Sequence, residues 1–223
     1  MNMITIHHNL KNSNPIFQQY EIGPIQNLLY LIGDPETGTA TLVDPAWDVP
    51  FLLSEIQKFN LTLTQIFLTH GHPDHVNGIP ELVARYPHLS VYLGENEPDF
   101  LTPTAPNLIR TTNGTVLHAG GVEWTCIFTP GHTPGGQCFY SAPHLITGDT
   151  LFVNGCGRCD LPGGDAETLF SSLEILKTLP DDTTFYPGHS YSDRVSDTLG
   201  NQKITNPYFR DLPKNKFLDR RGR

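Results

Sequence analysis

The segment FLTHGHPDHVNG, residues 67–78, places four side chains that bind metals within six positions, directly after an apolar run. These side chains are His70, His72, Asp74 and His75. Buried imidazoles and carboxylates at such close spacing would repel one another or lack hydrogen-bond partners unless an ion lay between them. The segment therefore predicts a metal site at the end of a buried strand.

Seven apolar runs bounded by turn residues predict β-strands, at 27–34, 39–45, 65–70, 90–94, 122–132, 144–149 and 183–189. Helical periodicity predicts three helices: 48–60 with Asp48 as N-cap, 165–179 after Asp165, and one from Asp74 to about Arg85. Strands with interleaved helices indicate an α/β fold with mixed sheets. The 223 residues contain no internal repeat and no low-complexity linker, so we expect one domain over residues 1–223.

Five of the predicted strands are each followed by a residue that binds metals. These residues are Asp44, His70, His132, Asp149 and His189. Open α/β sheets build their sites at the C-terminal ends of strands, so we expect these side chains to converge. Taken singly, each is also explained as an ordinary loop histidine or turn aspartate. Several strands that end in the same way favour a shared site.

Charge is distributed unevenly along the chain, whose formal net charge is -9. A short basic tail at about 201–223 contains seven basic and two acidic residues, which leaves the rest of the chain strongly acidic. An acidic body argues against a nucleic-acid partner, because nucleic-acid binding depends on basic side chains that neutralise phosphates. Three roles remain open for the tail: docking on the acidic body, holding an anionic substrate, or staying mobile.

The N-terminal residues lack the basic and apolar regions of a signal peptide, and no run approaches the roughly 18 apolar residues of a membrane span. Four cysteines are too few for a disulfide scaffold at this length. Cys156 and Cys159 form a C-x-x-C pair, but no second pair completes a zinc set, which disfavours a redox or zinc role. We therefore expect a cytoplasmic protein with no membrane partner.

Four motifs resemble, in order and spacing, the signature of the metallo-β-lactamase-fold superfamily: THGHPDH at 69–75, TPGHT at 129–133, GDTLF at 148–152 and PGH at 187–189. The resemblance extends from about residue 44 to residue 191. It implies an α/β fold of the αββα type, a four-layer sandwich with the metal site at the edge of two facing sheets. It also implies ligand roles: His70, His72 and His132 hold one metal, Asp74, His75 and His189 the other, Asp149 bridges both, and Asp44 orients a ligand from behind.

The ligand types fit a catalytic site. Imidazoles and carboxylates without thiolates suit zinc, iron or manganese in an open site, with zinc the leading expectation. Two cations that share a carboxylate can hold a hydroxide, because coordination lowers the pKa of water from about 15.7 to about 7. The hydroxide would attack a carbonyl, and Asp74 is expected to help orient it.

The segment GDTLFVNGCGRCDLPGG, residues 148–164, resembles the substrate loop shared by glyoxalase II (hydroxyacylglutathione hydrolase) and the persulfide dioxygenases. Arg158 matches a basic residue that helps bind glutathione in glyoxalase II, whereas Asp160 stands where that family has tyrosine. Gly-Arg-x-Asp is closer to the dioxygenase pattern, and Tyr191 matches a tyrosine that both families place after the last histidine. With 34 residues after His189, we expect the helical C-terminal domain of glyoxalase II to be absent.

The sequence thus predicts a metal-dependent hydrolase of the glyoxalase II-like type, with two divalent metal ions, that cleaves a glutathione-type thioester or related ester. Arg158, Asp160 and Tyr191 are its expected substrate-binding residues, and its expected partner is a small molecule such as a glutathione derivative. The alternative is a glutathione persulfide dioxygenase with a single Fe(II) held by His70, His132 and Asp149. A lactonase, a true β-lactamase, a nuclease and a non-catalytic scaffold are weaker alternatives.

Overall fold

The structure, a computed structural model, describes residues 15–221. The expectation that no signal peptide is present concerns residues 1–14 and lies outside the described residues, as does Arg223 of the basic tail. Within residues 15–221, none of the helices combines the length and the apolarity that crossing a bilayer requires.

Two mixed six-stranded sheets form the centre of the fold. The first contains, in spatial order, β1 (Ile16–Ile22), β2 (Asn27–Asp34), β3 (Thr39–Val43), β4 (Thr62–Phe67), β5 (Ser90–Gly94) and β6 (Asn107–Thr111). Its first three strands pair antiparallel, and β3 to β6 pair parallel. The C-terminal ends of β3, β4 and β5 therefore lie at one edge of this sheet.

The second sheet is built from the C-terminal half of the chain. Its strands are β7 (Val116–Ala119), β8 (Val122–Phe128), β9 (Gln137–Ser141), β10 (His144–Gly148), β13 (Thr184–Pro187) and β14 (Asp197–Thr198). Between β10 and β13, the chain forms a small separate hairpin of β11 (Leu151–Phe152) and β12 (Gly155–Cys156). The spatial order is β14-β13-β10-β9-β8-β7, with β10 and β13 parallel and the other neighbours antiparallel.

Helices cover the outer face of each sheet. They are α1 (Val49–Lys58), α2 (Pro73–Val76), α3 (Ile79–Arg85), α4 (Ala166–Lys177), α5 (Leu199–Thr205) and α6 (Lys214–Arg221), with a short 3-10 turn at Asp99–Leu101. Three hydrophobic cores separate the layers: α1 and α3 against the first sheet, the two sheets against each other, and α4 to α6 against the second sheet. The predicted four-layer αββα sandwich is confirmed.

Strand β2 shows how the sequence produces these layers. Its apolar run is buried on both faces, as a continuous apolar strand requires. Because side chains alternate along a strand, Leu29 and Leu31 point into the core under α1 and α3. Leu28, Tyr30 and Ile32 point into the core between the sheets. One strand therefore joins two cores, and this places it at the centre of the fold.

All seven predicted strands are present, and so are the helices predicted at 48–60 and 165–179. Asp48 caps its helix as expected, accepting a hydrogen bond from the backbone N–H of Phe51 at 3.0 Å, and Asp165 caps the other helix by accepting one from Thr168 at 2.6 Å. Strand β1 was not predicted, because its sequence IFQQYEI interrupts the apolar pattern with buried glutamines. The NH₂ group of Gln19 finds its acceptors only in the folded chain, in the hydroxyl of Tyr30 and the carbonyl oxygen of Val195.

The predicted third helix, at 74–85, is wrong in its continuity, because the segment forms two helices separated at Asn77 and Gly78. A neighbouring loop determines the break. The side chain of Asn77 accepts a hydrogen bond from the backbone N–H of Trp47 at 2.6 Å. Gly78 donates its N–H to the carbonyl of Pro45, and a Cβ at Gly78 would lie 2.6 Å from that oxygen. The apolar periodicity of the sequence reflects the face that both helices bury. It contains no signal for the contact of Asn77 and Gly78 with the loop of Pro45 and Trp47.

The basic tail docks on the body of the protein as α5, α6 and their connection. Phe209 and Phe217 are fully buried against α4 and the second sheet. Lys203 pairs with Asp181 at 2.6 Å, and Lys214 pairs with Glu167 at 2.7 Å. Of the three roles left open by the sequence, the described part of the tail has the first, docking on the body of the protein.

Candidate metal centre

The ends of strands from both sheets bring the predicted ligands to one place. His70 follows β4 in the first sheet; His132, Asp149 and His189 follow β8, β10 and β13 in the second. The chain after His70 continues to the start of α2, which adds the remaining three predicted ligands, His72, Asp74 and His75. The convergence expected from the strand ends is therefore present.

The ligand atoms form two neighbouring groups. In one, the ligand atoms of His70, His72 and His132 lie within 4.8 Å of one another; in the other, those of Asp74, His75 and His189 do. Asp149 contacts both groups. Its Oδ2 lies 3.4 Å from Nε2 of His132 and 3.4 Å from Nε2 of His189, and its Oδ1 lies 3.4 Å from Nε2 of His75.

Two glycines allow this close approach. Gly148 has φ +48°, and a Cβ there would lie 2.3 Å from Oγ1 of Thr69. A Cβ at Gly188 would lie 2.2 Å from Oδ1 of Asp149. Space therefore requires glycine at both positions, and at Gly148 the backbone conformation requires it as well.

The outward ring nitrogens of the histidines are held by the surrounding protein. Nδ1 of His132 donates to the carbonyl oxygen of Arg158 at 2.7 Å, and Nδ1 of His189 donates to that of Ile25 at 2.9 Å. These bonds place the proton on Nδ1 and leave the lone pair of Nε2 directed into the centre. The inward nitrogens face one another in pairs: His72 with His132 at 2.9 Å, and His75 with His189 at 3.2 Å.

A divalent cation fits this arrangement. Nε2 of His70 and Oδ1 of Asp149 are buried acceptors without a hydrogen-bond partner, a state that costs about 1–3 kcal/mol for each atom. Burial and the neighbouring His132 lower the pKa of His72 to about 4, so its imidazole is neutral, as metal binding requires. Burial opposes ionisation of Asp149, but the imidazoles of His75 and His189 hold its pKa well below its usual range.

Asp44 contacts the ligand segment through hydrogen bonds. Its carboxylate accepts hydrogen bonds from the backbone N–H of Thr69 at 2.8 Å and from its Oγ1 at 2.6 Å. It also accepts one from Nδ1 of His75 at 3.1 Å. Both oxygens of Asp44 are therefore engaged, which suits a residue that orients His75 better than one that binds a metal itself.

Two residues near the centre were not predicted from the sequence. The buried carboxylate of Glu97 accepts hydrogen bonds from the backbone N–H of Gly71 at 2.7 Å and of Gly135 at 2.8 Å. It thus joins the segment of His70 and His72 to the loop of His132. Glu97 follows strand β5, so the same rule of strand ends that identified the ligands contained a signal for it.

Asn27 is the other residue that was missed. Its Nδ2 donates to Oδ2 of Asp74 at 2.9 Å and to the carbonyl oxygen of Asp74 at 3.1 Å. Its Oδ1 accepts from Nε1 of Trp47 at 2.7 Å. Asn27 begins β2, and only the antiparallel pairing of β2 with β3 brings the start of β2 to this edge.

We expect Glu97→Gln to lower the free energy of unfolding by about 1–3 kcal/mol, because an amide nitrogen would then face one of the two N–H donors. The zinc affinity should fall as well, since the two ligand loops lose their common anchor. Urea unfolding of the metal-free protein and a zinc titration would measure the two effects. Glu95→Gln, an exposed change two residues away, is the matched control. Equal stabilities of the two variants would show that Glu97 does not join the loops.

The predicted substrate residues lie at the mouth of the centre. Arg158 and Asp160 are exposed and pair with each other through two hydrogen bonds, at 2.7 and 2.6 Å. The backbone of Arg158 touches the centre through its bond with His132. Tyr191 stacks on the ring of His189, with centroids 4.7 Å apart and an interplanar angle of 6°.

The C-x-x-C pair takes no part in this centre. Cys156 and Cys159 are free thiols, and burial raises their pKa values to about 11 and about 12. Among the described residues, the groups able to hold a metal contain histidine and aspartate only.

A family model described as the metallo-beta-lactamase superfamily matches residues 22–189. The chain belongs to this superfamily. Two relatives and one solved structure illustrate which members of the superfamily it resembles. It is 36% identical to the probable polyketide biosynthesis zinc-dependent hydrolase BaeB of Bacillus velezensis, over 88% of each chain. It is 36% identical to the hydroxyacylglutathione hydrolase of Serratia proteamaculans, over 98% of this chain and 74% of that one.

Among solved structures, ETHE1 from Myxococcus xanthus superposes with a TM-score of 0.83 at 33% identity, over 92% of this chain and 88% of that one. The predicted resemblance to the glyoxalase II-like branch is confirmed by these relatives. The protein is thus a member of a superfamily of metal-dependent hydrolases, and its histidine and aspartate cluster is a site for a divalent metal.

Proposed function

We propose that this protein is a thioester hydrolase of the glyoxalase II-like type that holds two divalent metal ions. His70, His72 and His132 would hold one ion, Asp74, His75 and His189 the other, and Asp149 would be shared. The observation that carries the proposal is the position of Asp149, whose two oxygens contact imidazoles of both groups. Zinc is the proposed metal, on the strength of the imidazole and carboxylate donors and of the zinc-dependent relative.

Two bound cations would supply a water of lowered pKa and a Lewis acid for the carbonyl oxygen of the substrate. The protein contributes orientation. Asn27 fixes Oδ2 of Asp74, and about a fifth of the Asp74 side chain is exposed to the mouth of the centre. We assign to this oxygen the hydrogen bond that orients the attacking water.

The substrate residues are assigned from their positions. Arg158 lies at the mouth with its guanidinium held by Asp160, ready to bind an anionic group of the thiol portion. Tyr191 offers its exposed hydroxyl and ring beside His189. The thiol portion, a glutathione-type conjugate, would lie across these two residues.

A persulfide dioxygenase with one Fe(II) on His70, His132 and Asp149 is the second candidate. Two observations favour it. The two buried acceptor atoms without partners belong to this triad, on His70 and Asp149. The bidentate pair of Arg158 and Asp160 has the Gly-Arg-x-Asp spacing of the dioxygenase loop.

Two assays on one preparation distinguish the candidates. For the hydrolase we expect about two metal ions per chain by elemental analysis, release of free thiol from glutathione thioesters, and no oxygen uptake with glutathione persulfide. One iron per chain, oxygen uptake with the persulfide and intact thioesters would instead establish the second candidate. A preparation without metal after chelator-free purification would contradict both.

A further inference from the structure

Several exposed apolar side chains lie around the metal centre. In the described chain, four large apolar residues that are exposed lie on segments next to it: Ile25, Trp47, Phe100 and Tyr191. The carbonyl of Ile25 accepts a hydrogen bond from His189, and the ring of Tyr191 stacks on His189. Trp47 donates a hydrogen bond to Asn27, which donates one to Asp74. Single exposed apolar residues are ordinary on a protein surface, but a set around one site indicates a ligand with an apolar part.

An apolar groove of about 260 Å³ begins at the ligand segment. One wall contains Pro73, Val76 and Pro80, and the other contains Phe100, Leu101 and Pro103. Its lining residues Gly71 and Pro73 flank the ligand His72 in the chain, so the groove lies next to the ligand segment. The lining also includes the polar residues Asn77, Thr102 and Thr104, and none of the described residues that line the groove is charged.

The two walls are held together before any ligand binds. Glu97 accepts the N–H of Gly71 from the opposite wall, and a Cβ at Gly71 would lie 1.8 Å from the carbonyl oxygen of Leu101. The ring of Phe100 reaches the substrate loop on its other side, 3.9 Å from where a Cβ of Gly163 would be. The groove is therefore preformed, and the ring of Phe100 extends from it toward the glycine-rich loop that contains Arg158.

We propose that this groove binds the acyl chain of the substrate, and that the preferred thioester has an extended apolar acyl group. The inference rests on the proposed thioester hydrolysis. A glutathione-type thiol carries charged groups and suits the Arg158 side of the mouth, whereas the uncharged groove suits a hydrocarbon chain. In the reaction, the oxygen of water bonds to the carbonyl carbon and the carbon–sulfur bond breaks. The sulfur leaves with one proton as the free thiol, and the acyl chain leaves as the carboxylate with release of the other proton.

Thioethers of glutathione test binding without hydrolysis. We would measure the affinities of S-methylglutathione and S-octylglutathione by calorimetry, with metal-free and zinc-loaded protein. Because each buried CH₂ group strengthens binding about fourfold, S-octylglutathione should bind at least about tenfold more tightly even in a partly open groove. Phe100→Ser should remove most of this difference and leave the affinity for S-methylglutathione unchanged. Ile204→Ser, an exposed change on α5, is the control and should retain the difference.

A parallel assay compares kcat/KM for acetylglutathione and octanoylglutathione. The binding experiment tests the groove and the cleavage assay tests the hydrolase, so either hypothesis can fail without the other. Equal affinities for the two thioethers would overturn the groove assignment even if both thioesters were cleaved. A difference that survives in Phe100→Ser would overturn it too, since the chain would then bind elsewhere. A difference that disappears in Phe100→Ser, without cleavage of either thioester, would support the groove and contradict the hydrolase. Failure of both thioethers to bind would overturn the groove together with the glutathione-type thiol.

Discussion

Asp149→Asn is expected to abolish cooperative binding of two metals and to lower kcat/KM by about a thousandfold. The substitution keeps the shape of the side chain but removes the one negative charge that contacts both groups of imidazoles. The stabilisation that a metal ion provides to a developing charge amounts to several kcal/mol, and each 1.36 kcal/mol is about a tenfold change in rate. Elemental analysis and thioester hydrolysis would measure the two effects.

Thermal unfolding separates this loss from misfolding. The wild-type protein should gain stability when zinc is added, by about 2.7 kcal/mol at a concentration one hundred times Kd. Asp149→Asn should fold without metal and show little of this gain. Asp182→Asn, an exposed aspartate change, is the matched control and should behave as the wild type. A wild-type metal content and rate in Asp149→Asn would show that the carboxylate does not link two cations.

The second large effect is expected at Asp44. Its carboxylate accepts bonds from Thr69 and His75, whereas an amide has one accepting oxygen and must place its NH₂ group toward one of these partners. If the NH₂ group faces His75, Nδ1 of that ring becomes the acceptor and the proton moves to Nε2, which faces the centre. We expect Asp44→Asn to weaken zinc binding about 10–100-fold.

Asp44→Ala tests the structural part of the same residue. It leaves the buried Thr69 and His75 without their partner, and it places alanine at φ +51°, which asparagine tolerates better. We expect the free energy of unfolding to fall by about 3–5 kcal/mol, by far more than in Asp44→Asn. Urea unfolding and competition for zinc with a chromophoric chelator would measure the two variants. Wild-type zinc affinity in Asp44→Asn would show that Asp44 does not orient His75.

Much of the candidate site could be predicted because its donors are encoded locally. Residues 70–75 contain four potential ligands in six positions, and His132, Asp149 and His189 each follow an apolar run. The same reasoning missed Glu97, although it too follows a strand, because a single glutamate in a loop has no neighbouring ligand to mark it. It missed Asn27 for a different reason, since that residue stands at the beginning of a strand.

In the fold, too, the elements marked by a local pattern were predicted and those that depend on distant residues were not. Continuous apolar runs predicted the buried strands, and aspartates before apolar stripes predicted α1 and α4. The glutamine-containing strand β1 and the break at Asn77 and Gly78 could not be predicted in this way. The NH₂ group of Gln19 in β1 donates to Tyr30 and Val195, and Asn77 and Gly78 bond to Trp47 and Pro45, all distant in sequence.

The sequence by itself determined which residues could bind metal, seven of the strands, and the superfamily to which the chain belongs. Only the tertiary structure decided that Glu97 joins two ligand loops, that Asn27 holds Asp74, and that an apolar groove opens beside the ligand segment. The physical reason is the range of the interactions. Periodicity and residue chemistry depend on neighbours within a few positions, whereas the distance between strand ends of two facing sheets depends on strand order, strand direction and the packing of the core between them.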